Sequence, residues 1–139
     1  MIIFFGCRGT LLDRAGNLRR HAEFVLSQLV KDGHRLFLLE SVADDSGQQI
    51  VEEQGLNKYF EGMIPPTGSS LIPDYVIDAN QDWFQGHTPG FQIPYYNYFA
   101  MLEDEELLEA YRQIQRLSGI SGPPPRMDVR GMTSQSDNS

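Results

Sequence analysis

Short apolar segments alternate with amphipathic segments along the first 117 residues of the chain. Each apolar segment has the length of a strand buried on both faces, as the strands of a parallel sheet are. Strands alternating with helices are typical of α/β proteins, in which helices cover the sheet. The pattern therefore predicts an α/β fold with a central, mainly parallel sheet of about five strands, at residues 1–5, 36–39, 62–64, 75–77 and 91–93.

Three amphipathic segments carry apolar residues at helical spacing and predict helices. Asp32-Gly33 ends the first, because glycine readily adopts the conformation that terminates a helix. Four acids at positions 103–106 suit the positive end of the dipole of the last helix, and an acidic docking patch is the alternative. The predicted helices cover about residues 20–31, 45 or 46 to 54, and 104–117.

Two segments depart from this alternation. Ala15-Gly16-Asn17 is a tight-turn signal and predicts a small hairpin within residues 11–20. From Ser118 onward Gly, Pro, Ser and Asn dominate, and Pro123-Pro124-Pro125 favours an extended polyproline conformation. Such a tail cannot bury enough apolar surface to fold alone. We expect one domain over residues 1–117 and a tail over 118–139 that is disordered unless a partner binds it.

Charge and composition narrow the functional classes. A net charge of −8 disfavours binding to nucleic acid or anionic membranes, since both need clustered Lys and Arg. No stretch approaches the roughly 18 apolar residues of a membrane-spanning helix. Cys7 is the one cysteine, which excludes an internal disulfide and suits a reducing compartment. We expect a soluble, cytoplasmic protein that binds neither nucleic acid nor membrane.

Residues 4–13, Phe-Phe-Gly-Cys-Arg-Gly-Thr-Leu-Leu-Asp, resemble the first motif of the haloacid dehalogenase-like superfamily. In that motif an apolar strand ends in Asp-x-Asp-Gly-Thr. The hairpin resembles the family's flap, Glu40-Ser41 resembles the second motif, and Asp78 and Asp82 resemble the acids of the fourth. The resemblance covers roughly residues 1–100. It implies a capless, Rossmann-like three-layer core with a small flap hairpin.

The resemblance also implies which catalytic groups are missing. In active members the first aspartate attacks the phosphoryl group, the second acts as acid and base, and a lysine and Mg²⁺ stabilise charge. Here Gly6 stands at the nucleophile position, and Arg8, which cannot release its proton, stands at the acid/base position. Thr10 keeps the motif's threonine. The two lysines, Lys31 and Lys58, do not fall where the family's lysine is expected.

The remaining motif residues admit more than one interpretation. Asp78 and Asp82 could hold Mg²⁺, which usually takes one or two carboxylates plus a substrate phosphate. We favour the alternative that both pair with Arg8, whose positive charge would replace the metal, and we predict no resident cofactor. Ser41 could bind phosphate, although a hydroxyl that caps the following turn is the more common use.

Cys7 offers a thiol as an alternative nucleophile. Cysteine phosphatases place an arginine six positions after the cysteine, but Asp13 stands there and Arg14 misses by one. We therefore interpret Cys7 as a small buried residue at a strand end. The histidines have no carboxylate or cysteine at ligand spacing, and we interpret them as structural or surface residues: His21, His34 and His87.

An aromatic cluster follows Trp83 and Phe84 in the sequence. We expect most of it to pack the last helix onto the sheet, with a partner-binding surface as the alternative, because Tyr and Trp are enriched at interfaces. Its members are Phe91, Tyr95, Tyr96, Tyr98 and Phe99.

Three functional hypotheses follow from these residues. The first is a non-catalytic pseudoenzyme that serves as a structural or binding subunit of a larger protein assembly, through its tail and the cluster at 91–99. The second is a hydrolase or phosphatase with a divergent site that uses Asp78, Asp82 or Cys7. The third is a sensor of a small phosphate ligand, which it binds without hydrolysis at Ser41 and the backbone loop of the first motif. The missing catalytic carboxylates favour the first.

Overall fold

The computed structural model describes residues 1–40, 46–66, 68–84 and 88–119. Its strands form one sheet in the order β3-β2-β1-β4-β5, and every neighbouring pair is parallel. The predicted α/β fold is confirmed. The strands are β1 (Ile2–Phe5), β2 (Arg35–Leu39), β3 (Phe60–Ile64), β4 (Tyr75–Asp78) and β5 (Gly90–Gln92).

The helices of the described residues are α1 (Ala22–Lys31), α2 (Ser46–Glu53) and α3 (Glu106–Leu117), with short 3-10 helices at Asn57–Tyr59 and Gln81–Phe84. Helix α1 begins later than predicted because His21 has a φ of 69°, which cannot continue a right-handed helix. It ends where predicted, with Gly33 at a φ of 94°. None of these helices combines the length and apolar character that crossing a membrane requires.

The two faces of the sheet pack against different layers. Strands β1, β2 and β3 step in one direction across the sheet, so right-handed crossovers place α1 and α2 on one face. Ile3 and Phe5 point to that face, where they pack with buried residues of all three helices. Phe4 and Val76 point to the other face, which carries a thinner layer that includes Leu71 and Phe84. The result is the Rossmann-like, three-layer arrangement that was predicted.

The predicted hairpin follows β1. The Asp13 amide donates to the Asn17 carbonyl at 3.0 Å, and Leu12 and Leu18 form an antiparallel bridge. The Asp13 carboxylate stabilises the turn by accepting from the amides of Ala15, at 2.9 Å, and Asn17, at 2.8 Å. Burial raises the pKa of Asp13, but these hydrogen bonds, with others from the Asn17 side chain and Tyr98, outweigh it and hold that pKa below its ordinary value.

Candidate functional site

The residues after β1 and β4 lie at one edge of the sheet. Because these neighbouring strands are parallel, their carboxyl ends open onto the same edge, where ligand sites of open α/β sheets lie. The Gly6 amide, directly after β1, donates to the Ile77 carbonyl at 2.8 Å. Asp78 is the last residue of β4. Gly6 and Asp78 therefore lie next to each other, beside the central strand.

Thr10 connects the loops that follow these two strands. Its hydroxyl donates to Oδ1 of Asp78 at 3.3 Å and accepts from the Ala79 amide at 3.1 Å. Asp78 also accepts from the Asn80 amide at 3.3 Å. Thr10 is fully buried, and Asp78 is 9% exposed. Burial raises the pKa of Asp78, and the hydrogen bonds from Asn80 and Thr10 oppose that rise without cancelling it.

The Asp78 carboxylate occupies the space that a side chain at position 6 would need. A Cβ atom on Gly6 would lie 2.2 Å from Oδ1 of Asp78 and 2.7 Å from Oγ1 of Thr10. Both distances are well below van der Waals contact, so any larger residue at position 6 requires Asp78 or Thr10 to move. Glycine therefore fits this position, and an aspartate does not fit beside Asp78 in the conformation described.

Arg8 does not pair with the acids of the fourth motif, so this prediction is wrong. Its guanidinium donates to the carbonyl oxygens of Asp13, at 2.9 Å, and Arg14, at 3.4 Å. The hydrogen bonds that Asp78 accepts come from Thr10 and from backbone amides. The cause is local: residues 7–12 form a tight loop, with a backbone bridge between residues 8 and 12, and this loop directs Arg8 toward the hairpin.

The two acids of the fourth motif lie in different environments. Asp78 is buried, whereas Asp82 lies exposed in the 3-10 helix Gln81–Phe84. No group of three or more His, Cys, Asp or Glu side chains in the described part of the chain could hold a metal ion. Asp78 is buried and Asp82 is exposed, so the described side chains offer no cluster of carboxylates for Mg²⁺. Ser41 and His87 lie outside the described residues.

Both lysines of the chain lie far from the carboxyl edge of the sheet. Lys31 is the last residue of α1, and the chain enters β2 four residues later, so this helix end lies at the opposite edge. Lys58 precedes β3, and its Nζ lies 3.9 Å from Glu23 of α1. A lysine that neutralises phosphoryl charge is therefore missing beside Asp78.

Arg19 holds together three segments around this edge, a role that the sequence did not reveal. It is 1% exposed, and its guanidinium forms a bidentate ion pair with the buried Asp104 carboxylate, with 3.1 Å between Nη2 and Oδ1. Nη1 donates to the carbonyl oxygens of Gly9, at 3.2 Å, and Pro94, at 2.8 Å. The guanidinium carbon lies 5.0 Å from the centroid of the Tyr96 ring.

The ion pair also corrects the predicted start of the last helix. Helix α3 begins at Glu106, two residues later than expected, and Asp104 precedes it. Its carboxylate binds Arg19 and accepts from the Glu106 amide at 3.4 Å. Asp104 therefore differs from the other acids at 103–106, because it has a buried partner in Arg19. The four acids look alike in the sequence, so the sequence could not reveal this difference.

The aromatic cluster is largely exposed, contrary to the expectation that most of it packs α3 onto the sheet. Tyr96 is buried and Phe91 is partly buried, but three other members are exposed. Their neighbour Leu102 is also exposed, although leucine favours the interior. We call these residues the aromatic surface: Tyr95, Tyr98, Phe99 and Leu102, with exposed fractions of 46%, 40%, 78% and 57%.

Fold and site together define a class of protein: an open, parallel α/β protein whose candidate site lies where its central strand ends. No family model matches the chain, and comparisons with curated proteins and with solved structures also gave no match. The resemblance to the haloacid dehalogenase-like superfamily therefore rests on the motifs of the sequence, and membership is a proposal.

Proposed function

We propose that this chain is a non-catalytic relative of the haloacid dehalogenase-like phosphatases that serves as a structural or binding subunit of a larger protein assembly. The observation that carries the proposal is the contact between Gly6 and Asp78. The position of the family's nucleophile has no side chain, and the carboxylate of Asp78 lies where that side chain would be.

Two further groups of the family mechanism have no counterpart at this edge. Arg8, at the acid/base position, donates to the carbonyl oxygens of the hairpin and cannot release its proton. Both lysines lie at the opposite edge of the sheet. Removing residues that act as a unit lowers turnover by roughly 10⁴- to 10⁶-fold in hydrolases. Phosphoryl transfer by the family mechanism should therefore be absent.

The same residues have a structural use that supports a scaffold role. The Thr10–Asp78 hydrogen bond joins the loops after β1 and β4, and Arg19 joins the first of these loops to the segment before α3. Polar groups that are buried and hydrogen-bonded to one another rigidify a protein. The carboxyl edge of the sheet is thus a rigid support for the aromatic surface. We propose that a protein partner binds to the aromatic surface.

An activity assay tests the absence of catalysis. The full chain should not hydrolyse aryl phosphates in the presence of Mg²⁺, and Gly6→Asp combined with Arg8→Asp should not restore turnover, because Asp78 obstructs position 6. Turnover by the unmodified protein that disappears in Asp78→Asn would overturn the proposal. Asp82→Asn is the control, since that acid is exposed.

Affinity purification tests the docking role. A stoichiometric partner should be retained by the full chain and lost after Tyr98→Ala combined with Phe99→Ala. Ile72→Ala is the matched control, because Ile72 and Phe99 are both 78% exposed and Ile72 lies outside the aromatic surface. If the partner still binds the chain that carries both substitutions, the docking site lies elsewhere.

A further inference from the structure

The aromatic surface borders an open depression with an acidic rim. Phe99 and Leu102 line this depression, which has a volume of about 1020 Å³, together with Glu103 and Glu105. The rings of Tyr98 and Phe99 meet edge to face, with 5.2 Å between their centroids. Exposed aromatic rings beside exposed carboxylates are suited to a ligand that carries both an apolar face and a positive charge.

The ion pair of Arg19 determines which acids of the rim can bind a ligand. Asp104 is buried in its ion pair, whereas Glu103 and Glu105 are exposed and form no ion pair with another described residue. Arg20 also lines the depression, and its Nη1 donates to the Leu102 carbonyl at 2.9 Å. The rim therefore offers two carboxylates for a ligand, against one arginine that is already hydrogen-bonded.

The chain itself contains a segment with the complementary chemistry. Residues 123–126 read Pro-Pro-Pro-Arg. Consecutive prolines favour the polyproline II helix, a preformed conformation that docks in grooves lined by aromatic rings at a small entropic cost. An arginine next to the prolines can form a charge-assisted hydrogen bond with a carboxylate of the rim.

We propose that Pro123–Arg126 docks on the aromatic surface of its own chain, with the prolines against Tyr98 and Phe99 and with Arg126 beside Glu103 and Glu105. This inference rests on the docking role proposed above and deepens it, because it names the class of ligand: a polyproline segment followed by arginine. A partner with such a segment would compete with Pro123–Arg126 for the aromatic surface.

The length of the chain allows this contact within one molecule. Helix α3 has 12 residues and is about 18 Å long, and the depression lies at its first turn. Gly119, which ends the described part of the chain, has a φ of 79° and so is not in a polyproline conformation. In a polyproline conformation, the four residues that follow, up to Pro123, extend about 12 Å, and Arg126 lies about 22 Å from Gly119. A tail that runs back along α3 thus brings the prolines and the arginine to the depression.

The contact can be tested in the full chain by NMR. Replacing Pro123, Pro124 and Pro125 with Gly and Arg126 with Ser should shift the amide resonances of residues 98–106 and leave those of the sheet unchanged. A control with Thr133→Gly, Ser134→Gly and Gln135→Gly changes the tail beyond the docking segment and should shift none of them. Identical spectra at 98–106 for the wild type and the Pro/Arg variant would overturn the proposal.

Dilution separates docking within one molecule from docking between two copies. Resonance positions that do not change on dilution support the contact within one chain. Positions that move toward those of the Pro/Arg variant on dilution would show that a second copy supplies the segment and would overturn the intramolecular assignment.

A competing peptide gives an independent readout. A labelled peptide of residues 120–131 should bind the full-length Pro/Arg variant about 10-fold more tightly than the wild type, because a tethered segment competes at a millimolar effective concentration. Adding Phe99→Ala to that variant should remove the binding, and adding Ile72→Ala should not. If the peptide binds neither protein, the docking proposal is overturned and the proposed absence of catalysis is unaffected. Phosphatase turnover would instead overturn the proposed absence of catalysis and leave the docking proposal unaffected.

Discussion

Arg19 and Asp104, which are 85 residues apart in the sequence, form a buried bidentate ion pair. Nη1 of Arg19 donates to the carbonyl oxygens of Gly9 and Pro94, so the charge is accompanied by hydrogen bonds to the backbone. Buried charges are tolerated when they are paired and hydrogen-bonded in this way. The pair fixes the segment before α3 against the loop that follows β1.

We expect Arg19→Ala to lower the free energy of unfolding by roughly 3–5 kcal/mol, because Asp104 would remain buried without a partner. Urea denaturation measures this change. Arg35→Ala is the control and should cost much less, since Arg35 pairs with Glu61 on the surface. Arg19→Met combined with Asp104→Leu should recover much of the loss, because neither charge is then buried alone. A loss for Arg19→Ala no larger than that for Arg35→Ala would contradict this interpretation.

Adding a side chain at position 6 should destabilise the protein. The Cβ of Gly6→Ala would contact the Asp78 carboxylate, and we expect a loss of about 1–3 kcal/mol in urea denaturation, typical of overpacking. Gly62→Ala is the matched control, because the nearest atoms to its Cβ are Phe37 ring carbons at 3.7 and 3.8 Å, an ordinary contact. Adding Asp78→Gly to Gly6→Ala should remove the contact with the carboxylate and recover part of the loss, while the contact with Thr10 remains. If Gly6→Ala costs no more than Gly62→Ala, the space is not occupied as described.

The stability of the protein should depend on the protonation of Asp78. Burial raises the pKa of this carboxyl above 3.8, so the folded state binds its proton more tightly than the unfolded state. The contribution of Asp78 to stability is therefore complete below pH 3.8 and is lost as the pH rises through the raised pKa. Asp78→Asn should remove this loss, so that the variant gains stability relative to the wild type as the pH increases. Denaturation of the wild type and of Asp78→Asn from pH 4 to 7 measures the difference.

The hydroxyl of Tyr111 should contribute to the contact between α3 and the end of α1. It donates to Oδ2 of Asp32 at 2.8 Å, and burial together with the Asp32 carboxylate raises the pKa of Tyr111. Tyr111→Phe should cost about 1 kcal/mol in free energy of unfolding, the usual net value of such a hydrogen bond. The same substitution should accelerate amide hydrogen exchange at the end of α1. Unchanged stability and exchange would show that the contact between the ring and Phe24 suffices.

Much of the fold could be predicted from local patterns. Buried parallel strands appear as continuous apolar runs, so β1, β2 and β4 were located to within one residue at each end. The edge strands were located less accurately, since β3 begins two residues earlier than predicted and β5 is shifted by one residue at both ends. Edge strands are only partly buried, and their hydrophobic signal is correspondingly weak.

The candidate site was predictable in position but not in its contacts. Motif order placed Gly6 beside Asp78, because parallel strands bring their carboxyl ends to one edge. The contacts of Arg8 were predicted wrongly, since a long side chain follows the local backbone, and the tight loop at 7–12 directs it to the hairpin.

The sequence by itself determined the α/β class, the order of its elements and the absence of a side chain at position 6, because periodicity and residue identity are local properties. Only the tertiary structure decided that Asp78 occupies the space beside Gly6, that Arg19 pairs with Asp104, and that Tyr98 and Phe99 are exposed. These contacts join residues far apart in the chain. They depend on how packed elements share a small volume, and no local pattern in the sequence encodes that arrangement.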